Sequence, residues 1–269
     1  MYVAELSCNH NGDYRLMDRM ILEAGKSGAD VVKIQMFKPD QMTHKRYSDR
    51  YLIPDGLWEG KFLWDLYSEV KTPFAWLPRI QDQCNRCGLG LMVSVFHPDT
   101  VDFCEEHGVG MYKIASPEIG YRDLIDSVSD KLVFVSDGLA SEEDLDYVKS
   151  KVPDCTYLHC VTEYPAPIAS YNLYTLIALA RYGHVGLSDH TNGIVAPVVA
   201  TALGAVVIEK HFKVEDDCPD SAFSLFPGEF AAMVRTCEMA KDSLGTVKFQ
   251  GDGRYKRKLV DGKMVRVVK

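Results

Sequence analysis

The sequence has no run of about 18 consecutive apolar residues, the minimum for a membrane-spanning helix, so no span is expected. Its first residues, Met1-Tyr2-Val3-Ala4-Glu5, lack the basic stretch followed by an apolar stretch that marks a secretory leader. Positive charge is in deficit. The 30 Lys and Arg stand against 38 Asp and Glu, and a formal net charge of -8 argues against bulk attraction to nucleic acid. There is no Walker-type glycine loop and no G-x-G-x-x-G turn after a strand, so nucleotide binding has no support. Cys84 and Cys87 form a lone C-x-x-C without the second pair a zinc ribbon needs, and their spacing places them in one helix. Cys8, Cys104, Cys155, Cys160, Cys218 and Cys237 are scattered, several in apolar segments. In a chain of this size that pattern indicates reduced, buried thiols and a cytoplasmic protein.

What is present is ample core material and a repeating pattern. Apolar residues make up 46% of the 269, enough for one large buried core. Short apolar runs predict strands at Tyr2–Ser7, Val31–Phe37, Gly90–Phe96, Met111–Ala115, Leu132–Ser136, Thr156–Cys160, Val185–Ser188 and Val206–His211. Amphipathic stretches between them predict helices at Asp13–Ser27, Pro73–Cys87, Asp99–Glu106, Tyr121–Val128, Glu142–Ser150, Leu173–Arg181, Ile194–Leu203 and Pro227–Leu244. Strand-then-helix alternation implies a parallel sheet, and eight repeats favour closure into a single (β/α)8 TIM barrel over residues 1–245. Asp13 is placed to cap the first helix, and Ser141 with Asp144 forms a weak capping box. Gly28, Gly88, Gly108, Gly183 and Gly204 each fall near a helix end, where left-handed backbone is often needed.

Two segments depart from the repeat. Lys38–Thr72 is long for a connection and rich in aromatics, which suits a lid or binding loop at the strand carboxyl ends, or else a packed surface excursion. Residues 246–269 carry eight Lys or Arg and two acidic residues. Val260-Asp261-Gly262-Lys263 reads as a hairpin turn between Arg257–Val260 and Met264–Val268, so this end is a basic tail or edge hairpin rather than a nucleic-acid patch.

The sharpest signal is polar residues inside strands that should be apolar throughout. Lys33 and Gln35, Ser188 and His190, and Glu209 and His211 are spaced i, i+2, so both members of each pair face one side of the sheet. Glu5, Ser94, Lys113 and Ser136 occupy corresponding positions in four other strands. An unpartnered buried polar group costs roughly 2–7 kcal/mol and an ion more, so these residues are expected together at the carboxyl-terminal mouth, where barrel active sites sit. His190 and His211, on adjacent strands about 4.8 Å apart, can share one divalent ion used as a Lewis acid, Mn²⁺ or another such as Mg²⁺ or Co²⁺. Lys33 and Lys113 with several serines fit a small phosphorylated anion. His159 is expected in the core, and His10, His44, His97, His107 and His184 in loops or on the surface.

At this point the residues resemble a known family. Ala4-Glu5-Leu6-Ser7-Cys8-Asn9-His10-Asn11-Gly12-Asp13, Val32-Lys33-Ile34-Gln35, Tyr112-Lys113-Ile114-Ala115-Ser116-Pro117-Glu118, His159-Cys160-Val161-Thr162-Glu163-Tyr164-Pro165, Gly186-Leu187-Ser188-Asp189-His190 and Ile208-Glu209-Lys210-His211-Phe212 look like the sialic acid synthases, which include N-acetylneuraminate, legionaminate and pseudaminate synthases. The likeness covers nearly the whole chain in order. It implies metal-dependent condensation of phosphoenolpyruvate with an N-acyl amino-sugar aldehyde, such as N-acetylmannosamine, to a nonulosonic acid and phosphate. The ion would sit on His190 and His211. Phosphoenolpyruvate would contact Lys33, Ser94, Lys113, Ser116, Ser136 and Ser188, and the sugar Glu5, Gln35, Tyr164 and Asp220. Glu209 or Glu5 would handle a proton or stabilise the cation.

Departures from the family pattern are specific. Ser94 stands where threonine is common, Asp137 follows Ser136 where the family often has S-T-G, and Ser221 follows Asp220 where histidine is common. The sequence given ends at Lys269, without the antifreeze-like domain that in typical dimers caps the partner's site. The resemblance implies a homodimer, and a separate capping protein is one way the missing cover would be supplied. Two alternatives stay open. One is a barrel that binds phosphoenolpyruvate or a phosphosugar without turnover; the other is an aldolase acting on another sugar.

Overall fold

The computed structural model describes residues 1–247 and 255–268. Every predicted strand forms: β1 (Tyr2–Glu5), β2 (Val31–Met36), β3 (Gly90–Val95), β4 (Met111–Ile114), β5 (Leu132–Ser136), β6 (Thr156–Cys160), β7 (His184–Asp189) and β8 (Val207–His211). They pair in sequence order, all parallel, and β8 returns to β1 through Tyr2↔Ile208 and Glu5↔His211, closing the (β/α)8 barrel. The helices are α1 (Tyr14–Lys26), α2 (Pro39–Met42), α3 (Leu63–Val70), α4 (Leu77–Cys87), α5 (Pro98–Glu106), α6 (Arg122–Ser127), α7 (Glu142–Lys151), α8 (Thr175–Leu179), α9 (Val195–Ala202) and α10 (Pro227–Leu244). Among the described residues no helix is long and apolar enough to cross a membrane.

Strand alternation sorts the core into two parts. Val3, Val31, Met92, Phe134, Leu158 and Val207 point inward and plug the barrel floor. Their neighbours Ala4, Val32, Ile34, Val93, Tyr112 and Val135 point outward and bury against the helices. Leu16, Met17, Met20, Ile21 and Ala24 form the buried stripe of α1, and each large apolar side chain so buried contributes roughly 1.5–3 kcal/mol. The floor leaves the upper inward positions, one step of two along each strand, for polar side chains.

Local expectations meet the geometry in most places. Asp13 caps α1 by accepting from Arg15 N–H, and Ser141 and Asp144 make a reciprocal capping box on α7. The helix predicted from Pro73 begins as a 3₁₀ turn at Phe74–Trp76 and becomes α4 at Leu77, with a proline in its first turn. Gly183 is a correction, because it is not left-handed. A Cβ there would stand 2.8 Å from Cys155 O, so glycine is required by close approach of backbone. All eight cysteines are free, with Cys84 and Cys87 both on α4.

The segment between β2 and α4 carries α2, a 3₁₀ turn at Asp49–Tyr51 and α3, and its apolar residues Met42, Ile53, Trp58, Leu63, Leu66 and Tyr67 face the barrel mouth. It is therefore a cover over the strand ends, the first of the two readings its length allowed. At the other end of the chain, Tyr255–Val260 and Lys263–Val268 pair as an antiparallel hairpin, and Asp261 and Gly262 both have positive φ as the two-residue turn requires.

Candidate active site

The inward residues at the carboxyl ends of the strands line one cavity of about 440 Å³. All thirteen residues proposed from sequence border it: Glu5, Lys33, Gln35, Ser94, Lys113, Ser116, Ser136, Tyr164, Ser188, His190, Glu209, His211 and Asp220. Strand pairing explains the convergence. Glu5 is in register with Lys33 and His211, Gln35 with Ser94, Ser94 with Lys113, and Ser188 with Glu209.

Glu209 is the electrostatic centre. One carboxylate oxygen accepts from Lys33 Nζ at 2.7 Å and from Ser188 Oγ at 2.8 Å, with Lys113 Nζ at 4.0 Å. Lys113 donates to Ser136 Oγ at 2.6 Å. Glu5 lies 3.6 Å from Lys33 and accepts from Gln35 Nε2 at 2.8 Å. Burial acts to raise both carboxyl groups. For Glu5 it prevails over the attraction of Lys33 and His211. For Glu209 the ammonium groups of Lys113 and Lys33 outweigh it and hold the group down at about 2. The lysines also divide. Burial would lower Lys33, but Glu209 and Glu5 together raise it, whereas at Lys113 burial prevails and its pKa falls. The second oxygens of Glu5 and Glu209 are buried without a hydrogen-bond partner. Both carboxyl groups border the cavity, where water or a bound group can meet these oxygens.

The two histidines stand side by side on β7 and β8, ring centroids 5.3 Å apart. His190 Nδ1 lies 2.8 Å from Val161 O, a contact only an N–H can make, so Nε2 carries the free lone pair. Burial holds this ring neutral, with a pKa of about 4. His211 Nδ1 lies 3.2 Å from an Asp220 carboxylate oxygen, which favours the same tautomer, although the alignment falls short of a hydrogen bond. Asp220, assigned to the sugar by resemblance, thus touches the back of His211 and also borders the cavity. Phe223 packs on both rings, and the Tyr164 ring lies 4.4 Å from that of His190.

This donor set fits a divalent cation in part. Two imidazoles on adjacent strands, each with Nδ1 beside an oxygen and Nε2 directed away from it, have the arrangement of metal-ligating histidines. Among the described residues no three His, Cys, Asp or Glu side chains stand together as a complete cage. A bound ion would therefore keep open positions for water or substrate, as a catalytic rather than a structural centre does.

Sequence reasoning missed several lining residues. Cys160 points inward beside Ser188, and its parity with Leu158 was the available signal. Glu118, Ser7, Cys8, Phe37 and Phe223 also border the cavity. His159 faces outward and is a core residue as expected, bonded through Nδ1 to Asp137 at 3.0 Å. His10 meets the loop half of its expectation and not the surface half. It lies in the loop after β1 but is fully buried, because Nδ1 accepts from Gly12 N–H at 3.0 Å and the ring packs edge-on against Trp76.

Residues 20–249 match the NeuB family. The chain belongs to that family. Its relatives include the pseudaminic acid synthase of Campylobacter jejuni, 37% identical over 261 residues that cover 93% of this chain and 76% of that protein. The N,N'-diacetyllegionaminic acid synthase of the same organism is 31% identical, over 100% of this chain and 83% of its own length. Among solved structures, the N-acetylneuraminic acid (sialic acid) synthetase of Leptospira borgpetersenii in complex with citrate superposes with a TM-score of 0.83 at 26% identity, covering 93% of this chain and 87% of that one. This NeuB-family protein is accordingly an enzyme, a sugar-acid synthase of the sialic type.

Proposed function

We propose that the enzyme condenses phosphoenolpyruvate with an N-acyl amino-sugar aldehyde, releasing a nonulosonic acid and phosphate, with a divalent ion such as Mn²⁺ on His190 and His211. The observation that carries this reading is the placing of two imidazoles and two buried ammonium groups in one cavity. The identity to pseudaminic acid synthases makes a pseudaminic-type acid the first product to seek.

Lys33 and Lys113 would hold the phosphate and carboxylate of phosphoenolpyruvate, with Ser94, Ser116, Ser136 and Ser188 as hydroxyl donors. A bound divalent ion would polarise the aldehyde carbonyl. The new bond joins C3 of phosphoenolpyruvate to the aldehyde carbon, and the carbonyl electron pair becomes a hydroxyl on taking a proton. Water then adds at C2 and loses one proton; the bond from C2 to the phosphate oxygen breaks with its electron pair leaving on phosphate, and the new C2 hydroxyl gives up its remaining proton to phosphate or solvent as the ketone forms. Glu209, anionic between two ammonium groups, is suited to stabilise positive charge as it develops at C2. Glu5, buried with Gln35 as donor, is suited to meet a sugar hydroxyl. The cover formed by Trp58, Leu63, Leu66 and Tyr67 limits competing water.

The test is phosphate release from phosphoenolpyruvate in the presence of Mn²⁺ and a panel of N-acyl amino sugars. Release that depends on both the sugar and the ion is expected. A folded sample that releases none with any acceptor refutes the reading.

A further inference from the structure

The outward faces of the barrel strands are apolar or tyrosine at nearly every position, as contact with the helices demands. The ionisable exceptions are His159, Asp189 and Lys210, and they fall at the carboxyl ends of three consecutive strands, β6, β7 and β8. Asp189 and Lys210 are direct register partners with 0% side-chain exposure, and their Nζ–Oδ2 separation is 2.7 Å. Lys210 also donates to Thr191 O, and Asp189 accepts from Thr191 N–H at 2.9 Å. Next to them Tyr171 OH accepts from His190 N–H at 2.7 Å and donates to Ser188 O at 3.1 Å. His159, itself held by Asp137, bonds the backbone oxygen of Tyr171.

Such a network is a costly way to fill a helix-facing layer, since well-packed apolar residues in place of a buried ion pair are often neutral or stabilising. Its location suggests what it does. Both members of the ion pair are one residue away in sequence from side chains of the cavity: Asp189 lies between Ser188 and His190, and Lys210 between Glu209 and His211. A bond between the outward residues fixes the relative height of the inward ones, because successive side chains share one backbone. Tyr171 then fixes the chain where β7 ends.

We propose that Lys210, Asp189 and Tyr171 are positioning residues, which clamp β7 to β8 from behind so that the free nitrogens of His190 and His211 stand ready for one cation. The proposal rests on the two-histidine reading above. It predicts a separation that a purely structural role does not: ion affinity falls while folding stability holds.

The experiment replaces the pair together, Asp189→Leu with Lys210→Met, and measures Mn²⁺ affinity by calorimetry on metal-free protein alongside thermal unfolding. We expect affinity at least about 10-fold weaker with a melting temperature equal to or above the parent's. Affinity within twofold of the parent's overturns the proposal. Should the double variant fail to fold, Tyr171→Phe removes a single hydroxyl and is read in the same way. A metal-free readout separates this proposal from the reading beneath it. The imidazole ¹⁵N resonances of His190 and His211 in the metal-free protein should shift and broaden in the variants. If the parent binds no Mn²⁺, the two-histidine reading fails, and unchanged resonances in the variants then overturn the clamp as well.

Discussion

Replacing Glu209 by Gln tests the electrostatics of the cavity most sharply. The change keeps an oxygen to accept from Lys33 and Ser188, now 2.7 and 2.8 Å away, and removes only the charge. Lys33 and Lys113 are then left in one buried cavity with Glu5 as the remaining counter-charge, 3.6 Å from Lys33. At an effective dielectric of 20, a unit-charge pair 4 Å apart is worth about 4 kcal/mol, and breaking a buried ion pair commonly costs about 3–5 kcal/mol. The retained hydrogen bonds place the expectation near the lower end, about 3 kcal/mol. Urea unfolding should show this as a lower midpoint with an unchanged slope. Because the freed ammonium groups suit an anion, phosphoenolpyruvate should rescue the variant more than it stabilises the parent, with about 2.7 kcal/mol available at 100 times its Kd. Turnover should fall by roughly 100-fold or more, the scale for loss of a preorganised charge. A variant within about 1 kcal/mol of the parent, or one not stabilised by phosphoenolpyruvate, refutes the view that Glu209 neutralises the two lysines.

Other outcomes follow from single residues. Burial raises Glu118 from its ordinary 4.5 to about 7, so the folded state keeps a proton that the unfolded chain has released. Stability should therefore decline as pH rises from about 4.5 to about 7, by up to about 3 kcal/mol, and Glu118→Gln should flatten that slope; an unaltered pH profile by urea titration contradicts it. Gly186→Ala would bring a Cβ to 2.6 Å from the Leu158 side chain and 2.7 Å from Val207 O, so a loss of about 1–3 kcal/mol is expected in the barrel floor, read from the unfolding midpoint. Asp13→Ala removes the cap of α1 and should cost about 1 kcal/mol without touching turnover.

The barrel and most of its cavity were legible because burying charge is expensive. Lys33, Lys113 and Glu209 inside otherwise apolar strands have no cheap structural explanation, and the period-two spacing says which side they share. What stayed hidden was set by distant pairing. Asp189 and Lys210 read as ordinary neighbours of the motif residues until strand register brought them to 2.7 Å. Asp137, a departure from the family pattern, gains its meaning from His159 and the N–H of Cys160, both on the next strand. The covering segment has no periodicity to declare which of its aromatics face inward. Cys160 was read as a core thiol because its residue type suggests no chemistry, and only its parity with Leu158 pointed to the inward face. Gly183 illustrates the same limit, since proximity to Cys155 O is invisible without coordinates.

The most direct measurement is the spectrum of Mn²⁺ added to metal-free protein, with nitrogen couplings resolved by pulsed electron paramagnetic resonance. One ion per chain with two imidazole nitrogens is expected, one nitrogen remaining in His190→Ala, and binding abolished or nearly so in His211→Ala with the fold retained. Parent-like ion content and couplings in the His211 variant contradict the assignment of this cavity as a two-histidine metal centre.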